Sequence, residues 1–352
     1  MITLNVLNDI HQWLFGLVGN ETGTRVVELV LIALGYLGLF ALLGLLLVLA
    51  ERRIAGFFQL RLGPNRVGPW GMFQTIADAL KLVSKELTGT TRVDRFLYHL
   101  APFFVIVTAL ISMSIIPFSK EIQVMDINIG IFFFMAVSSL GVIGIFLAGW
   151  SSNNKYSLIG GMRTGIQMLS YELSIGMTII TMIVLAGTLQ LSEIVEMQKS
   201  GWFIFSGHIS SWIAFGIIMI ASTAETNRVP FDLVEAESEL AAGFHTEYSG
   251  MNFAYFFLSE FMNMFISAAM IVVLFFGGWL SPFGITDEIP FMGLFWFALK
   301  TAFVVFLFMW FRWTFPRLRI DQLLKLEWKY LLPISMVNIV VMALLVWLGL
   351  TF

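Results

Sequence analysis

The densest group of ionisable residues in this chain lies in a polar segment, residues 224–250, between two long apolar runs. The segment contains one strong base, Arg228, and six acids: Glu225, Asp232, Glu235, Glu237, Glu239 and Glu247. Carboxylates at this density repel one another and are costly to remove from water, so their protonation states are coupled. Such groups can take up or release protons when a charge appears nearby. We therefore interpret this acidic coupling loop, residues 225–250, as the functional part of the chain.

The rest of the chain has the composition of a membrane protein. Of its 352 residues 58% are hydrophobic and only 12% are charged, whereas a soluble domain carries roughly 25% charged residues. Runs of about 20 apolar residues are long enough to cross a bilayer. We count eight such spans: 26–50, 96–117, 129–150, 165–188, 204–224, 252–276, 291–312 and 331–350. The sequence therefore predicts an all-α membrane protein, with a single integral membrane domain over residues 1–352.

Lysine and arginine are distributed unevenly between the predicted loops. Sixteen of the 20 follow spans 1, 3, 5 and 7, three lie on the opposite side, and Lys300 falls inside span 7. Because short cytoplasmic loops are enriched in these residues, the sixteen mark the cytoplasmic (or matrix) side. Both termini then face outward.

The first cytoplasmic loop contains a second helical pattern, at residues 70–87. Met72, Ile76, Leu80 and Val83 recur at helical spacing, and polar residues such as Asp78 occupy the opposite face. This pattern is typical of an amphipathic helix on the membrane surface. It predicts either a simple anchor or a helix that keeps open a lateral access route for a lipid-soluble ligand.

Three charged residues lie well inside predicted spans, away from the span ends: Glu172, Glu260 and Lys300. Each costs about 3 kcal/mol at the centre of a bilayer unless it finds a partner or water. We favour a functional role for Glu172, and Glu260 and Lys300 have pairing with each other as a structural alternative. The acids concentrate in the cytoplasmic half, and no continuous chain of protonatable side chains crosses the bilayer. We infer that charge movement starts here and passes sideways to neighbouring chains.

Several kinds of redox centre are excluded by composition. The chain has no cysteine, so it forms no disulfide and no thiolate-ligated zinc site or iron–sulfur cluster. Its four histidines are far apart, and no phosphate-binding or dinucleotide motif is present. Electron carriers, if the protein takes part in redox chemistry, must therefore belong to other chains.

A set of longer strings resembles one known family. They are E-R-R at 51–53, Q-L-R-L-G-P-N-R-V-G at 59–68, G-W-S-S-N-N-K-Y-S-L at 149–158, S-Y-E at 170–172, residues 225–240, E-Y-S-G at 247–250, A-L-K-T at 298–301 and P-R-L-R-I-D-Q at 316–322. Together they resemble the H subunit of bacterial respiratory complex I, the NADH–quinone oxidoreductase, which is called subunit 1 of NADH dehydrogenase in mitochondria. The resemblance extends in register over essentially the whole chain.

This resemblance implies eight transmembrane helices with a surface amphipathic helix. It also implies a non-redox subunit of a proton-translocating NADH:quinone reductase. The subunit forms most of the tunnel through which quinone, ubiquinone or menaquinone, reaches the last iron–sulfur cluster. No cofactor is expected on this chain, because the flavin and the clusters belong to partner subunits. We assign it no catalytic acid and no metal site.

The resemblance also implies roles for individual residues. The quinone tunnel is expected to involve Glu51, Arg52, Arg61 and Asp78. The proton-coupling path is expected to involve Glu172, Glu225, Arg228, Asp232, Glu235, Glu237, Glu239 and Glu260, to which we add the intramembrane Lys300.

Partners and location follow from the same resemblance. We expect peripheral subunits with the terminal cluster and the quinone headgroup site, small membrane subunits that lead to antiporter-like subunits, membrane lipid, and no nucleic acid. The bacterial cytoplasmic membrane is favoured over the mitochondrial inner membrane. Alternatives are the equivalent subunit of a membrane-bound hydrogenase or ferredoxin-type dehydrogenase, a stand-alone transporter, and an assembly scaffold.

Overall fold

The computed structural model describes residues 15–16, 19–89, 93–232, 240–282, 284 and 292–351. This part of the chain is helical, with no β-strand. Its principal helices are α1 (Glu21–Phe58), α2 (Gln74–Ser84), α3 (Arg95–Ile115), α4 (Gly130–Ser151), α5 (Lys155–Ala186), α6 (Leu191–Met197), α7 (Phe203–Ser206), α8 (His208–Glu225), α9 (Gly250–Phe275), α10 (Met292–Thr314) and α11 (Ile320–Trp347). Short 3₁₀ turns occur at Pro69–Gly71, Gln198–Ser200 and Gly243–His245.

Seven helices of the described residues are long and apolar enough to cross a membrane: α1, α3, α4, α5, α9, α10 and α11. The predicted all-α membrane class is confirmed, but the predicted number of eight spans is not. The predicted fifth span, 204–224, is divided at Gly207 into α7 and the 18-residue α8. Polar residues at the start of α8 lower its hydropathy, although its apolar residues, such as Ile217 and Ile218, are buried within the bundle.

Helix α1 is the longest of the described helices, and its length positions the first candidate site residues. It starts at Glu21 because the Asn20 side chain accepts a hydrogen bond from the Thr22 N–H (3.2 Å). Its 38 residues extend about 57 Å at 1.5 Å per residue, whereas the hydrocarbon core is about 30 Å thick. The C-terminal turns, which carry Glu51 and Arg52, therefore extend beyond the apolar run, at the end for which the sequence predicts the cytoplasmic side.

Helix α5 begins at Lys155, ten residues before the predicted span 165–188. The Asn154 side chain caps this earlier start by accepting a hydrogen bond from the Tyr156 N–H at 3.0 Å. Two glycines then allow α4 and α5 to approach closely, since a Cβ on Gly161 would lie 3.0 Å from the Gly149 Cα. The hydropathy pattern missed this extension because it is polar.

The predicted surface helix 70–87 is present but shorter. A 3₁₀ turn at Pro69–Gly71 precedes it, in which Trp70 has a left-handed φ of +57°, and α2 covers only Gln74–Ser84. Ile76, Leu80 and Val83 remain exposed on one face, as the predicted contact with a membrane surface requires.

Helix α9 lies at the centre of the bundle. It contacts α1, α2, α3, α8 and α10, and its C-terminal half, including Ala268, Ile271 and Leu274, is fully buried. Glu260 lies in the N-terminal half of α9, so this half of the helix carries a carboxylate into the bundle.

Candidate functional site

Glu51 of α1 is the centre of a buried ionic cluster. Its side chain is 9% exposed and accepts hydrogen bonds on both oxygens. Arg228 Nη1, from the loop after α8, lies 2.6 Å from Oε2, and Arg312 Nη1, from the end of α10, donates to Oε1. Three elements that are distant in sequence therefore meet at one carboxylate.

Arg228 connects this cluster to the central helix. Its side chain is 3% exposed, and its Nε lies 3.1 Å from Glu260 Oε1. Its guanidinium carbon also lies 4.4 Å from the centroid of the Phe261 ring, a favourable cation–π distance. The cluster thus contains two guanidinium groups and two carboxylates, of which Arg228 and Glu51 are almost fully buried while Glu260 and Arg312 are 20% and 31% exposed. The buried charges depend on their partners.

The local sequence after α8 explains where Arg228 points. Asn227 has a left-handed φ of +53°, a conformation that asparagine tolerates better than most residues. The Asn227 N–H donates to Ala224 O and the Arg228 N–H donates to Thr223 O, both at 3.2 Å. These two bonds form a Schellman motif, which ends α8 and turns the chain toward Glu51.

The loop is then held in place by the flanking helices. Gln167 Nε2 of α5 donates to Ala224 O (2.8 Å) and Phe231 O (2.9 Å). On the opposite side the Leu318 N–H donates to Pro230 O at 2.9 Å. Asp232 pairs with Arg317 at 2.9 Å, so α5 and the segment before α11 both restrain the loop.

The other predicted tunnel residues lie nearer the surface. Arg52 donates to Asp78 of α2, and this pair is 41% and 36% exposed. Gln74 Nε2 donates a hydrogen bond to the same carboxylate at 3.2 Å. Arg61 is exposed and donates to the neighbouring Gln59 at 2.6 Å. The structure therefore places Glu51 in the buried cluster, Arg52 and Asp78 at its surface side, and Arg61 outside it.

Two small cavities with mainly apolar linings lie beside Glu225, and one of them reaches Glu260 of the cluster. Each has a volume of about 30 Å³, enough for about two water molecules. Glu225 and Asn263 line both, while Glu260 and His245 line only the first. The first cavity therefore connects Glu260 with Glu225 through a space that is large enough for water.

Glu172 extends this array toward the side of the bundle. It interacts electrostatically with Glu225 and accepts a hydrogen bond from Ser139 of α4. Leu169 and Leu173 on the same helix are exposed, so Glu172 lies close to an apolar outer face. Glu260 and Glu225 share a cavity, and Glu225 and Glu172 interact, so the three carboxylates form a series of neighbours.

Comparison with known proteins identifies the family of this chain. Residues 31–343 match the family model described as NADH dehydrogenase. The chain is 56% identical over 352 residues to the NADH-quinone oxidoreductase H subunit of Bacteroides fragilis, covering 97% of both chains. It is 54% identical to the corresponding H subunit of Bacteroides thetaiotaomicron, covering 99% of this chain and 98% of the relative. It is 47% identical to NADH-quinone oxidoreductase subunit 8 of Rhodothermus marinus, covering 85% and 91%.

The chain belongs to the NADH dehydrogenase family. The predicted family assignment is thereby confirmed. Three predicted coupling residues of this family member, Glu235, Glu237 and Glu239, lie outside the described residues, so their role remains a prediction.

Lys300 is not brought to the cluster. Its Nζ donates to the carbonyls of Phe276 (2.6 Å), Gly278 (3.1 Å) and Leu280 (2.5 Å), just past the C-terminal end of α9. Glu260 lies sixteen positions before Phe276, so the alternative Glu260–Lys300 pair does not form among the described residues. A cation at a helix C-terminus is favourable in itself, and the coupling role of Lys300 stays a prediction.

His245 is a site residue that the sequence reasoning missed. It lies in the 3₁₀ turn between α8 and α9, is 7% exposed and lines the first cavity. Burial lowers the pKa of His245 to about 4, so its imidazole is neutral near pH 7. Its position inside the predicted coupling loop, residues 225–250, could have indicated that it belongs to the site.

Arg312 and Arg317 were also missed as site residues. The sequence marks them only as residues of the cytoplasmic side, because charge counting takes no account of the partner of each residue. The structure pairs them with Glu51 and Asp232. Within the described residues no group of three or more His, Asp or Glu side chains has the arrangement of a metal site.

Proposed function

We propose that this chain is the membrane subunit of a proton-translocating NADH–quinone oxidoreductase that lines the quinone path and couples quinone reduction to proton movement. The single observation that carries the proposal is Glu51 held between Arg228 and Arg312, with Arg228 also beside Glu260, which lines one cavity together with Glu225. The similarity to NADH-quinone oxidoreductase H subunits supports the same conclusion.

The chemistry of quinone reduction explains why such a cluster is useful. Two electrons and two protons convert a quinone to a quinol, and the electrons arrive before the charge is neutralised. In a low-dielectric site the transient negative charge attracts guanidinium groups strongly. A shift of Arg228 or Arg312 toward the quinone weakens its bond to Glu51. The carboxylates left behind then gain affinity for protons.

Water in the cavity between Glu260 and Glu225 would carry the proton onward. A proton taken up at Glu260 can pass through water to Glu225, and from there toward Glu172 at the side of the bundle. The predicted residues Asp232, Glu235, Glu237 and Glu239 belong to the loop that begins at this point. This chain itself transfers no electrons, which come from iron–sulfur and flavin groups on partner subunits.

The proposal also covers the route of the quinone and the position of the chain in the membrane. The quinone approaches from the lipid near α1 and α2, where Arg52, Arg61 and Asp78 line the mouth of its path. Peripheral subunits cover the cytoplasmic side, and small membrane subunits contact the face near Glu172. The chain resides in a bacterial cytoplasmic membrane with both termini outside.

The test replaces Glu225 with glutamine in the assembled complex, reconstituted in liposomes. We expect Glu225→Gln to lower both the rate of quinone reduction and the number of protons moved per electron, because glutamine keeps the shape but cannot carry a proton. The matched control is Glu196→Gln, since Glu196 forms only an exposed pair with Lys199 (3.7 Å). Unchanged proton movement in Glu225→Gln would contradict the proposal, as would ion transport by the purified chain alone.

A further inference from the structure

The last helix contains a buried acid that the proposed function does not use. Within α11 the segment Leu326–Leu331 is π-helical, a geometry that is rare and frequently found at functional sites. Glu327 lies in this segment and is 0% exposed. The predicted span begins at residue 331, so the sequence does not mark Glu327 as an intramembrane acid.

The two carboxyl oxygens of Glu327 have different surroundings. Oε1 accepts a hydrogen bond from Ser174 Oγ of α5. Oε2 is buried and has no hydrogen-bond partner among the described residues. None of the ion pairs formed by the described residues includes Glu327. A lone buried carboxylate without a cation is costly, so the resting state that fits this environment is the neutral acid with its proton on Oε2.

The groups that face Glu327 belong mainly to α5. Tyr171, whose hydroxyl donates to Leu323 O at 3.1 Å, is the titratable group with which Glu327 interacts electrostatically. Trp328 Nε1 donates to Ser170 Oγ at 3.3 Å. Helix α8 contributes the Ser210–Asn338 contact farther along α11. The charged residues of α11 near this position, Asp321, Lys325 and Lys329, are exposed.

The same region is mechanically connected to the loop that carries Arg228. The Tyr171 ring packs on the Phe231 ring, with centroids 5.5 Å apart. The start of α11 is joined to the loop by the Leu318–Pro230 hydrogen bond and the Arg317–Asp232 ion pair. A displacement of the loop therefore acts on the packing around Glu327 from two directions.

We propose that Glu327 is a further proton-binding residue of this chain, which releases its proton when the loop 226–232 rearranges and binds one again when the loop returns. The proton leaves Oε2 for a water molecule admitted beside it, giving a carboxylate and a hydronium ion, and no electron is transferred. Ser174 then stabilises the carboxylate through its hydroxyl. This inference rests on the proposed function, because it takes the loop movement from the coupling of quinone reduction to the Arg228 cluster.

The experiment is redox-induced infrared difference spectroscopy on the whole purified complex, before and after quinone reduction. The carbonyl stretch of a protonated carboxyl group reports directly on proton release. We expect Glu327→Gln to remove one component of this band, and Ser174→Ala to shift the same component. Glu193→Gln is the matched control, since Glu193 is an exposed glutamate. The spectrum of this variant complex should equal that of the unaltered complex.

The outcomes separate this inference from the proposed function. A carboxyl band identical to that of the unaltered complex in Glu327→Gln overturns the inference, while loss of coupling in Glu225→Gln still supports the proposed function. If Glu327→Gln fails to assemble, Ser174→Ala decides, because an unshifted band overturns the inference and a shifted band supports it. A purely structural role predicts no change in the infrared signal in either variant.

Discussion

Arg228 Nη1 lies 2.6 Å from Glu51 Oε2, although the two residues are 177 positions apart in the sequence. The contact joins α1 to the turn that ends α8, and both side chains are almost fully buried. Since Arg228 also lies 3.1 Å from Glu260, one guanidinium holds together two carboxylates from different helices. Arg228 therefore links Glu51, a predicted quinone-tunnel residue, to Glu260, a predicted proton-coupling residue.

Removing this guanidinium should destabilise the bundle strongly. We expect Arg228→Ala to lower the free energy of unfolding by about 3–5 kcal/mol, because Glu51 and Glu260 would lose a buried counter-charge. Thermal unfolding of the complex in detergent measures the effect. Arg61→Ala is the control, since Arg61 is exposed and such changes stay within about 0.5 kcal/mol. Equal melting temperatures for the two variants would show that the cluster does not stabilise the fold.

The Arg52–Asp78 pair should behave differently, because both side chains are more than a third exposed. We expect Asp78→Asn to change stability by no more than about 1 kcal/mol. If Asp78 lines the quinone path, the KM for quinone should rise while assembly is unchanged, by up to about fivefold for a loss of ~1 kcal/mol. The control is Glu21→Gln, which breaks a more exposed pair with Arg25 (2.7 Å) far from α2 in the sequence. An unchanged KM in Asp78→Asn would remove this residue from the path.

The sequence predicted the membrane class and the approximate position of most helices, because hydropathy depends on local composition. It also singled out Glu51 and Arg228 through the family resemblance, and Glu260 additionally because a charge inside a span is costly. It did not predict that Arg312 bonds Glu51, because a contact between residues 261 positions apart leaves no trace in a local pattern.

Helix boundaries limited the prediction in a second way. Glu327 escapes notice in the sequence because the predicted last span begins at residue 331, whereas α11 begins at Ile320. The polar N-terminal turns of α11 are helical through tertiary contacts with α5, such as the Ser174–Glu327 hydrogen bond, rather than through an apolar pattern. Where a helix extends into polar sequence, composition alone predicts a helix that is too short.

A steric test concerns the contact between α5 and the turn that carries His245. A Cβ on Gly160 would lie 2.9 Å from the Gly243 Cα, and backbone atoms cannot give way cheaply. We expect Gly160→Ala to destabilise the chain by about 1–3 kcal/mol and to lower quinone reductase activity by displacing the turn. Gly165→Ala, on the same helix, is the matched control, because its nearest neighbour would be a side-chain atom at 3.8 Å. Equal activity and stability in the two variants would contradict the close approach.

The stability of the folded chain should depend on pH through His245. Burial lowers the pKa of His245 to about 4 from its usual 6.5, so between these values the unfolded chain binds more protons than the folded one. Stability should therefore rise with pH across this window, and acidification from pH 6.5 to pH 4 should cost up to about 3 kcal/mol through this residue. His245→Gln removes the titrating group. We expect the melting temperature of the variant to fall less steeply than that of the unaltered complex between pH 6.5 and pH 4, whereas the two curves should run parallel above pH 7. Parallel curves over the whole range would show that His245 is protonated as easily in the folded chain as in the unfolded one.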